Sequence, residues 1–184
     1  MLAMKCHPPR AQGFTLIELL VVIALISILA SLAAPDFRRS IAQRKVSEVA
    51  SDLMISTLQA RSAAITNNQQ AIVQPLVTTD WSRGWRIYVD VDEDKAYTAG
   101  TDTLISTVSA KAGTVTTNEL SPSTLTLIGF NSTGYLLEST AGRVVFSTTA
   151  IPSNQYKKGI VFSRTGRVRI CETNPSKNEC SGDE

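Results

Sequence analysis

One stretch near the N-terminus decides the fold: Gly13-Phe14-Thr15-Leu16-Ile17-Glu18, followed by Leu19-Leu20-Val21-Val22-Ile23-Ala24-Leu25-Ile26. It places one carboxylate, Glu18, near the start of an apolar run that ends at Ala34. As a helix, the 21 residues of 14–34 reach roughly 31 Å, about one bilayer core. A carboxylate in lipid is costly and normally has a partner. The run therefore predicts a transmembrane helix in which Glu18 has a specific role.

Residues 1–13 form a short leader with two basic residues, Lys5 and Arg10, and end in glycine. A secretory signal peptide would instead have a shorter apolar core, followed by a small-x-small cleavage site. Basic residues before the run agree with the positive-inside tendency, although four more follow it after Phe37. The leader and the start of the run resemble the class III leader of type IV pilins and pseudopilins, in which a dedicated prepilin peptidase cuts after the glycine.

This resemblance implies roles for three residues. Cleavage would fall between Gly13 and Phe14, and the new N-terminus at Phe14 would be N-methylated. Glu18 would pair with the free α-amine of a neighbouring copy or a related subunit, and so set the helix register during assembly. The alternative is that residues 14–34 are an ordinary anchor, with the charge of Glu18 at the membrane interface.

Composition narrows the chemistry of the mature chain. Removal of residues 1–13 lowers the basic residues from 18 to 16, equal to the 16 acidic ones, so the mature chain is formally neutral. The one histidine, His7, lies in the leader, which excludes a histidine base or metal ligand after cleavage. The chain also lacks a Gly-rich loop followed by Lys and a Gly-x-Ser-x-Gly motif. We therefore expect neither an enzyme nor a cofactor.

Helical periodicity continues after Pro35. Apolar residues recur there at mostly three- to five-residue steps: Ile41, Val46, Val49, Leu53, Leu58 and Ile65. This spacing predicts an amphipathic helix that packs on a partner surface. Asn67-Asn68 is a plausible end. The result is one long helix over about 14–66, with a membrane half at 14–34 and a periplasmic half at 35–67.

The remainder, 68–184, is predicted to be a β-rich domain. Alternating apolar and polar residues indicate strands near 70–76, 85–91, 103–108, 124–130, 143–148, 159–164 and 167–171. Turn residues lie at 131–134 and 165–166, and the stretch 109–123, rich in Thr, Ser, Ala and Gly, predicts a loop. The predicted fold class is α+β, a long N-terminal helix packed on one or two antiparallel sheets.

Several motifs of this domain resemble the H-type pseudopilins, the group that includes GspH of type II secretion and FimT and FimU of type IV pili. They are Trp81-Ser82-Arg83-Gly84-Trp85-Arg86-Ile87-Tyr88-Val89-Asp90, Asp102-Thr103-Leu104-Ile105, Phe130-Asn131-Ser132-Thr133-Gly134 and the segment 161–169. With the leader, the resemblance covers nearly the whole chain. It implies a single-pass subunit of the bacterial inner membrane with its domain in the periplasm.

Removal of the leader leaves two cysteines, Cys171 and Cys180. A cysteine pair near the C-terminus of an exported domain predicts a disulfide. Closing a loop of about 10 residues would contribute about 2–3 kcal/mol. Two reduced thiols are the alternative, and two thiolates lack companions for a zinc site.

The stretch Asp90-Val91-Asp92-Glu93-Asp94 has the Asp-x-Asp-x-Asp spacing of calcium loops. An EF-hand would need Gly next and a Glu further on in register, whereas Lys95 follows and no such Glu does. We therefore predict a solvated acidic turn and assign no metal site, although calcium loops of other patterns stay an alternative.

The segment 143–169 carries six positive residues and no acidic one: Arg143, Lys157, Lys158, Arg164, Arg167 and Arg169. A hairpin turn at Thr165-Gly166 would be flanked by Arg164 and Arg167. Strand alternation then puts Arg167 and Arg169 on one face. Guanidinium groups bind phosphate bidentately without reading base sequence. Gly166-Arg167-Val168-Arg169 fits the Gly-Arg-x-Arg of FimT-like proteins implicated in natural transformation, and Tyr156 is a candidate for stacking on a base.

Two hypotheses follow for the globular end. In one, the chain is a minor type IV pilin that captures double-stranded DNA through Arg164, Gly166, Arg167 and Arg169. In the other, it is a purely structural GspH-type pseudopilin of type II protein secretion, and the same arginines contact neighbouring subunits. Both predict assembly into a pilus or pseudopilus, with the prepilin peptidase and other major and minor pilins or pseudopilins as partners.

Overall fold

The computed structural model describes residues 14–111, 114–138, 141–150, 156–174, 177–178 and 180, without the side chains of 31–36, 174 and 177–178. The leader, including Gly13, lies outside the described residues. The chain divides into two compact units, one ending at Phe37 and one beginning at Arg38. Helix α1 is Leu16–Asn67. The described strands are β1 Gln70–Val77, β2 Asp80–Asp90, β3 Thr103–Ser109, β4 Val115–Ser121, β5 Ile128–Phe130, β6 Gly142–Thr148, β7 Lys157–Phe162, β8 Val168–Asn174 and β9 Lys177–Asn178.

Helix α1 ends where the sequence predicts. Asn68, the first residue after it, has a left-handed backbone with φ 53°. The N–H of Gln69 donates to the carbonyl oxygen of Ala64 at 3.2 Å. Asparagine in this conformation is a common helix C-cap, because it satisfies carbonyl groups of the last turn. The cap sends the chain directly into β1.

The C-terminal part of α1 packs on the domain through an alanine-rich face. Its buried residues are Ala42, Val46, Val49, Ala50, Leu53, Ser56, Thr57, Ala60 and Ala64. The predicted stripe is correct at Val46, Val49 and Leu53, but Ile41, Leu58 and Ile65 are exposed. Small side chains occupy the buried face because they let the helix lie close to the sheets and fill the interior at native density.

The strands form two antiparallel sheets, which confirms the predicted fold class. The first sheet has the order β3-β2-β1-β5, and the second has the order β4-β6-β7-β8-β9. Along β2, Trp85, Ile87 and Val89 belong to the core and alternate with residues of the opposite face, as the sequence predicts. The helix face and the inner faces of both sheets share one core cluster.

The loop predicted over 109–123 is wrong, because Val115–Ser121 is strand β4. This strand lies at the edge of the second sheet and pairs with β6 from Val115↔Thr148 to Ser121↔Arg143. Val115 is its one buried residue, so its polar composition reflects a half-exposed edge. The strand predicted at 124–130 is shortened to Ile128–Phe130, and the N–H of Leu125 closes a turn onto Pro122.

Ser56 supplies a buried hydrogen bond between α1 and β2. The indole N–H of Trp85 donates to Ser56 Oγ at 2.8 Å. Ser56→Ala would leave this N–H buried without a partner, so we expect the free energy of unfolding to fall by about 1–3 kcal/mol. Ser62→Ala removes the same atoms at an exposed position of α1, and we expect a change within about 0.5 kcal/mol. Urea denaturation of the full-length chain in detergent, followed by tryptophan fluorescence, measures both, and equal losses would contradict the role of Ser56.

Candidate functional site

The candidate basic site is the arginine turn, residues 163–167, between β7 and β8. The N–H of Gly166 donates to Ser163 O, and the N–H of Ser163 donates to Arg167 O, both at 2.9 Å. Gly166 has φ +77°, the left-handed conformation that ends three-residue hairpin loops. The turn predicted at 165–166 is confirmed, except that Arg164 lies inside the turn and does not flank it.

A second loop and the helix hold the arginine turn in place. The N–H of Leu136 donates to Arg164 O at 3.1 Å, which ties the turn to the loop 131–136. Arg61 of α1 bridges the two, because its Nε donates to Gly134 O at 3.0 Å and its Nη2 donates to Thr165 O at 3.3 Å. The helix therefore fixes the position of the turn through backbone carbonyl groups.

Two local features make this contact between turn and loop possible. A β-carbon at Gly166 would collide with the carbonyl oxygen of Gly134, so the approach requires glycine. In the loop, Asn131 Oδ1 accepts the N–H groups of Thr133 and Tyr135, both at 3.0 Å. The turn predicted at 131–134 is confirmed, and its side-chain hydrogen bonds hold the loop that faces the arginine turn.

Two arginines of the turn face solvent. Arg164 and Arg167 are exposed, and in the part of the chain that the structure describes neither has an ion pair. Arg169 is half-buried and lies across from Val161 in the β7–β8 register. Arg167 precedes β8 and Arg169 lies within it, so the shared face that strand alternation predicts for the two arginines stays a prediction.

The other cations of the segment are engaged with carboxylates. Lys157 Nζ lies 2.7 Å from Glu119 Oε1, and Arg143 Nε lies 3.9 Å from Glu119 Oε2. Lys158 Nζ lies 3.7 Å from Glu172. The six basic residues, which are close together in the sequence, therefore differ in their surroundings. Arg164 and Arg167 are the two that are exposed and, among the described residues, make no ion pair.

The aromatic residue beside the turn is Tyr135, which sequence reasoning missed. Tyr135 is 53% exposed and directly precedes Leu136, whose N–H contacts the turn. Tyr156 lies at the opposite end of β7, about 23 Å away along the strand, and its hydroxyl is 3.0 Å from Ser47 Oγ. The prediction that Tyr156 stacks on a base bound at the arginine turn is therefore wrong, because Tyr156 lies too far from the turn.

At the N-terminus, Glu18 caps the helix that carries it. The N–H and the Oγ1 of Thr15 both donate to Glu18 Oε2 at 2.8 Å, and the N–H of Glu18 donates to Thr15 Oγ1 at 3.3 Å. This reciprocal pair is a capping box, and Thr-x-x-Glu is its sequence signal. A carboxylate has about four acceptor positions, so capping leaves capacity for a further donor.

The first part of α1 is apolar on every side. Every described side chain from Phe14 to Ala30 is exposed. The hydroxyl of Ser27 donates to the carbonyl oxygen of Ile23 at 2.7 Å, so this polar group is satisfied within the helix. A helix with no polar face is stable only in apolar surroundings.

Across the described residues, no helix combines the length and the apolar character that crossing a membrane requires. The predicted span 14–34 includes 31–34, whose side chains lie outside the description, and it stays a prediction.

Cys171 and Cys180 form the predicted disulfide, with their Cα atoms 5.0 Å apart. Both residues are buried in a small cluster with Val145 and Val161. This cluster is separate from the main core and lies on the other face of the second sheet. The disulfide therefore covers apolar residues that the helix does not reach.

The acidic stretch after β2 differs from the prediction at Asp90. Asp92, Glu93 and Asp94 are exposed, as in a solvated turn, whereas Asp90 is fully buried. Burial raises the pKa of Asp90 above its ordinary value, and repulsion from neighbouring carboxylates adds to the rise. Burial and the charge of Asp90 likewise raise the pKa of Tyr88, two residues earlier on the same face.

A family model covers the helix end and most of the sheets. The model of the type II transport protein GspH matches residues 49–166, more than half of the chain. The chain belongs to the GspH family. A second model, the prokaryotic N-terminal methylation motif, matches residues 8–34, which include part of the predicted leader and the apolar run. The family predicted from the sequence motifs is therefore confirmed.

Relatives of this GspH-family chain include type IV pilins. It is 51% identical over 45 residues to the type IV major pilin protein PilA of Myxococcus xanthus, covering 24% of this chain and 20% of PilA. It is 37% identical over 92 residues to the type IV major fimbrial protein FimA of Dichelobacter nodosus, covering 50% of this chain and 53% of FimA. The chain thus spans about half or less of the length of these relatives.

The fold is similar to that of a solved minor pilin. The crystal structure of the type IV minor pilin FimU of Pseudomonas aeruginosa matches with a TM-score of 0.56 and 18% identity, over 72% of this chain and 95% of FimU. At this identity the likeness shows the fold, a helix packed on antiparallel sheets.

Arg61 offers a test of how the arginine turn is held. Arg61→Met keeps the aliphatic stem and removes the donors to Gly134 and Thr165. Because these bonds involve a charged donor, we expect the amides of Gly166 and Leu136 to exchange at least about fivefold faster. Gln59→Met, at an exposed position of α1, is the control. Hydrogen–deuterium exchange of the full-length chain measures both, and unchanged protection in Arg61→Met would show that other contacts hold the turn.

Proposed function

We propose that this chain is a minor pilin or pseudopilin that acts by assembling into a filament and has no catalytic role. The match of the GspH family model and the helix-on-sheet fold support this proposal. The observation that carries it is the segment from Phe14 to Ala30, which is apolar on every side and has one capped carboxylate. In this proposal a prepilin peptidase removes 1–13, residues 14–34 cross the bacterial inner membrane, and the domain faces the periplasm.

Assembly then replaces the lipid around this segment with the same segment of other subunits. Because no side of the helix is polar, several neighbours can pack on it at once. Glu18 supplies the specificity. A free α-amine at Phe14 of a neighbouring subunit would pair with the carboxylate, and the low dielectric of the surroundings strengthens that pair. Registers that leave Glu18 unpaired are disfavoured, since a buried charge without a partner is costly.

Glu18→Gln tests this role while keeping an acceptor for Thr15. We expect cleavage between Gly13 and Phe14 to continue, and incorporation into sheared filaments to fall at least about tenfold, which corresponds to about 1.4 kcal/mol. Ser27→Ala is the control, because the hydroxyl of Ser27 contacts only its own helix in the described structure. Quantitative mass spectrometry of membrane and filament fractions from the source bacterium gives both amounts. Incorporation of Glu18→Gln at the level of the control would contradict the pairing.

The arginine turn favours a second function, capture of duplex DNA. Arg164 and Arg167 are exposed, and Tyr135 is exposed beside them. Hydrogen bonds from Leu136 and Arg61 hold the turn, so little backbone entropy is lost when the guanidinium groups meet phosphates. Contacts of this kind go to the DNA backbone, so binding would not depend on base sequence. In a purely structural pseudopilin, acidic groups of a neighbouring subunit would occupy the same surface.

Fluorescence anisotropy of labelled duplex DNA distinguishes these functions. The full-length chain in detergent is titrated into the DNA at several salt concentrations. We expect affinity to fall with salt, and Arg164→Gln/Arg167→Gln to reduce the slope of log K against log salt by about 2. The control Arg39→Gln/Arg83→Gln removes the same charge at exposed positions away from the turn. Equal binding by both variants would exclude the turn as the DNA site, and negligible binding by the parent chain would favour the structural pseudopilin.

A further inference from the structure

Apart from the arginine turn and Glu18, the structure gathers buried oxygen atoms at the end of β2. Arg86, Tyr88 and Asp90 lie on the face of β2 that points away from the main core. The connection 91–102 follows and leads into β3. Its backbone is left-handed at Glu93 and Lys95, with φ 60° and 63°. The connection folds back, so that Asp102, twelve positions after Asp90, lies beside the acidic stretch 90–94.

Three carboxylates from the two ends of this connection meet. One carboxylate oxygen from each of Asp90, Asp92 and Asp102 lies within 4.8 Å of the other two. Asp90 is 0% exposed and Asp102 is 8% exposed. Backbone N–H groups orient both: Val91 and Thr98 donate to Asp102 at 3.0 and 2.7 Å, and Lys95 donates to Asp90 Oδ2 at 3.0 Å. Neutral N–H groups do not balance three formal negative charges.

Oxygen atoms without partners adjoin these carboxylates. Asp90 Oδ1, Tyr88 Oη and Gln70 Oε1 are all buried, and none has a hydrogen-bond partner among the described residues. Gln70 lies directly across from Asp90 in the β1–β2 register, where opposed β-carbons are about 5 Å apart. Tyr88 precedes Asp90 by two positions on the same face. Such buried polar atoms are normally satisfied, so their concentration at one place points to a missing ligand.

Two cationic side chains lie near the cluster, and among the described residues neither forms an ion pair with it. Arg86 Nε is itself buried without a hydrogen-bond partner there. The ammonium of Lys95 lies 2.9 Å from Glu138 Oε1. The guanidinium of Arg86 lies 5.0 Å from the ring centroid of Tyr97, and Arg86 is about 13 Å from Asp90 along β2. In the described part of the chain, no ion pair neutralises Asp90, Asp92 or Asp102.

We infer that Asp90, Asp92 and Asp102 bind a divalent cation of the hard, oxygen-preferring type, and that Ca²⁺ fits best. The donors are all oxygen atoms, they come from an irregular loop, and oxygens within 4.8 Å of one another can share a cation at Ca–O distances of about 2.3–2.6 Å. Asp90 Oδ1 is the free ligand atom, and Gln70 Oε1 is positioned to add a neutral one. The site departs from the EF-hand pattern because Asp102 replaces the later ligands of a continuous motif. A bound cation would tie both ends of the 91–102 connection together.

Calcium titration of the full-length chain in detergent tests the site. Bound metal is first removed with EDTA, and the EDTA is then removed from the protein. We expect saturable heat in calorimetry and a Tm that rises with Ca²⁺, since a ligand that binds only the folded state stabilises it. Tb³⁺ reports the location. The rings of Tyr88 and Tyr97 lie 5.4 Å apart next to the carboxylates, so exciting them should sensitise Tb³⁺ luminescence that Ca²⁺ displaces. Mg²⁺, which demands octahedral geometry, should compete poorly.

Asp92→Asn and Glu93→Gln form a matched pair. Both positions are exposed and adjacent, and each change removes one negative charge, but only Asp92 belongs to the cluster. We expect Asp92→Asn to weaken Ca²⁺ binding at least about tenfold, and Glu93→Gln to change it by less than about twofold. The sign of the Tm change is a second readout. In EDTA, Asp92→Asn relieves repulsion and should raise Tm, whereas in saturating Ca²⁺ it should lower Tm relative to the parent chain.

Three results would overturn the inference. The first is the absence of a Ca²⁺-dependent heat or Tm shift in the parent chain, which would show that the three carboxylates hold no cation. The second is equal weakening by Asp92→Asn and Glu93→Gln, which would indicate diffuse attraction to an acidic surface. The third is equal stabilisation by Mg²⁺, which would exclude Ca²⁺ as the preferred ion.

Discussion

The close packing of one helix face on two sheets is the constraint on which the rest of the structure depends. Ala50, Leu53, Ala60 and Ala64 are fully buried in it, and the same face carries Ser56, the partner of the Trp85 indole. Alanine at these positions fixes how near the helix lies, because a larger side chain would overfill a core of native density. The distance between the helix and the sheets is therefore set more by the volume of the buried side chains than by their hydrophobicity.

This packing also positions the arginine turn. Arg61 follows the buried Ala60 and reaches the carbonyl groups of Gly134 and Thr165. The turn and its supporting loop are thus fixed to the helix, and through it to the core. A change that displaced the helix would loosen the turn as well, so the stability of the domain and the geometry of its basic site are linked.

Features that depend on local pattern could be predicted from the sequence. The period of two along β2 identified its core residues, and Asn68 and Gly166 marked a helix end and a hairpin turn through their left-handed backbones. The disulfide could be predicted because Cys171 and Cys180 are close in the sequence of a domain that is expected to be exported. The capping box at Thr15 and Glu18 has an equally local signal, but both interpretations of Glu18 concerned its surroundings in a membrane or filament, and neither considered its own helix.

Features that depend on contacts between distant residues could not be predicted in this way. Arg61 and Gly134 are 73 positions apart, and no periodic pattern relates them. Asp102 joins Asp90 only because the 91–102 connection folds back, so a motif search over consecutive residues stops at Lys95. Strand β4 was missed because an edge strand exposes most of its side chains, and its composition then resembles that of a loop.

The proposed capture of DNA depends, through the arrangement of charge, on the position of the subunit in the proposed filament. Without residues 1–13, whose removal we propose, the chain would be formally neutral. It would then have no net charge to attract DNA over long distances, and screening at about 8 Å would limit attraction to groups near the contact. Arg164 and Arg167 would then make a weak site, since non-specific DNA binding by whole proteins has dissociation constants of about 10⁻⁴–10⁻⁶ M at physiological salt. Repetition along a shaft would raise the avidity by about 10²–10⁴. A single copy at a tip gains nothing from repetition, so DNA capture there would require basic groups from neighbouring subunits on the same surface.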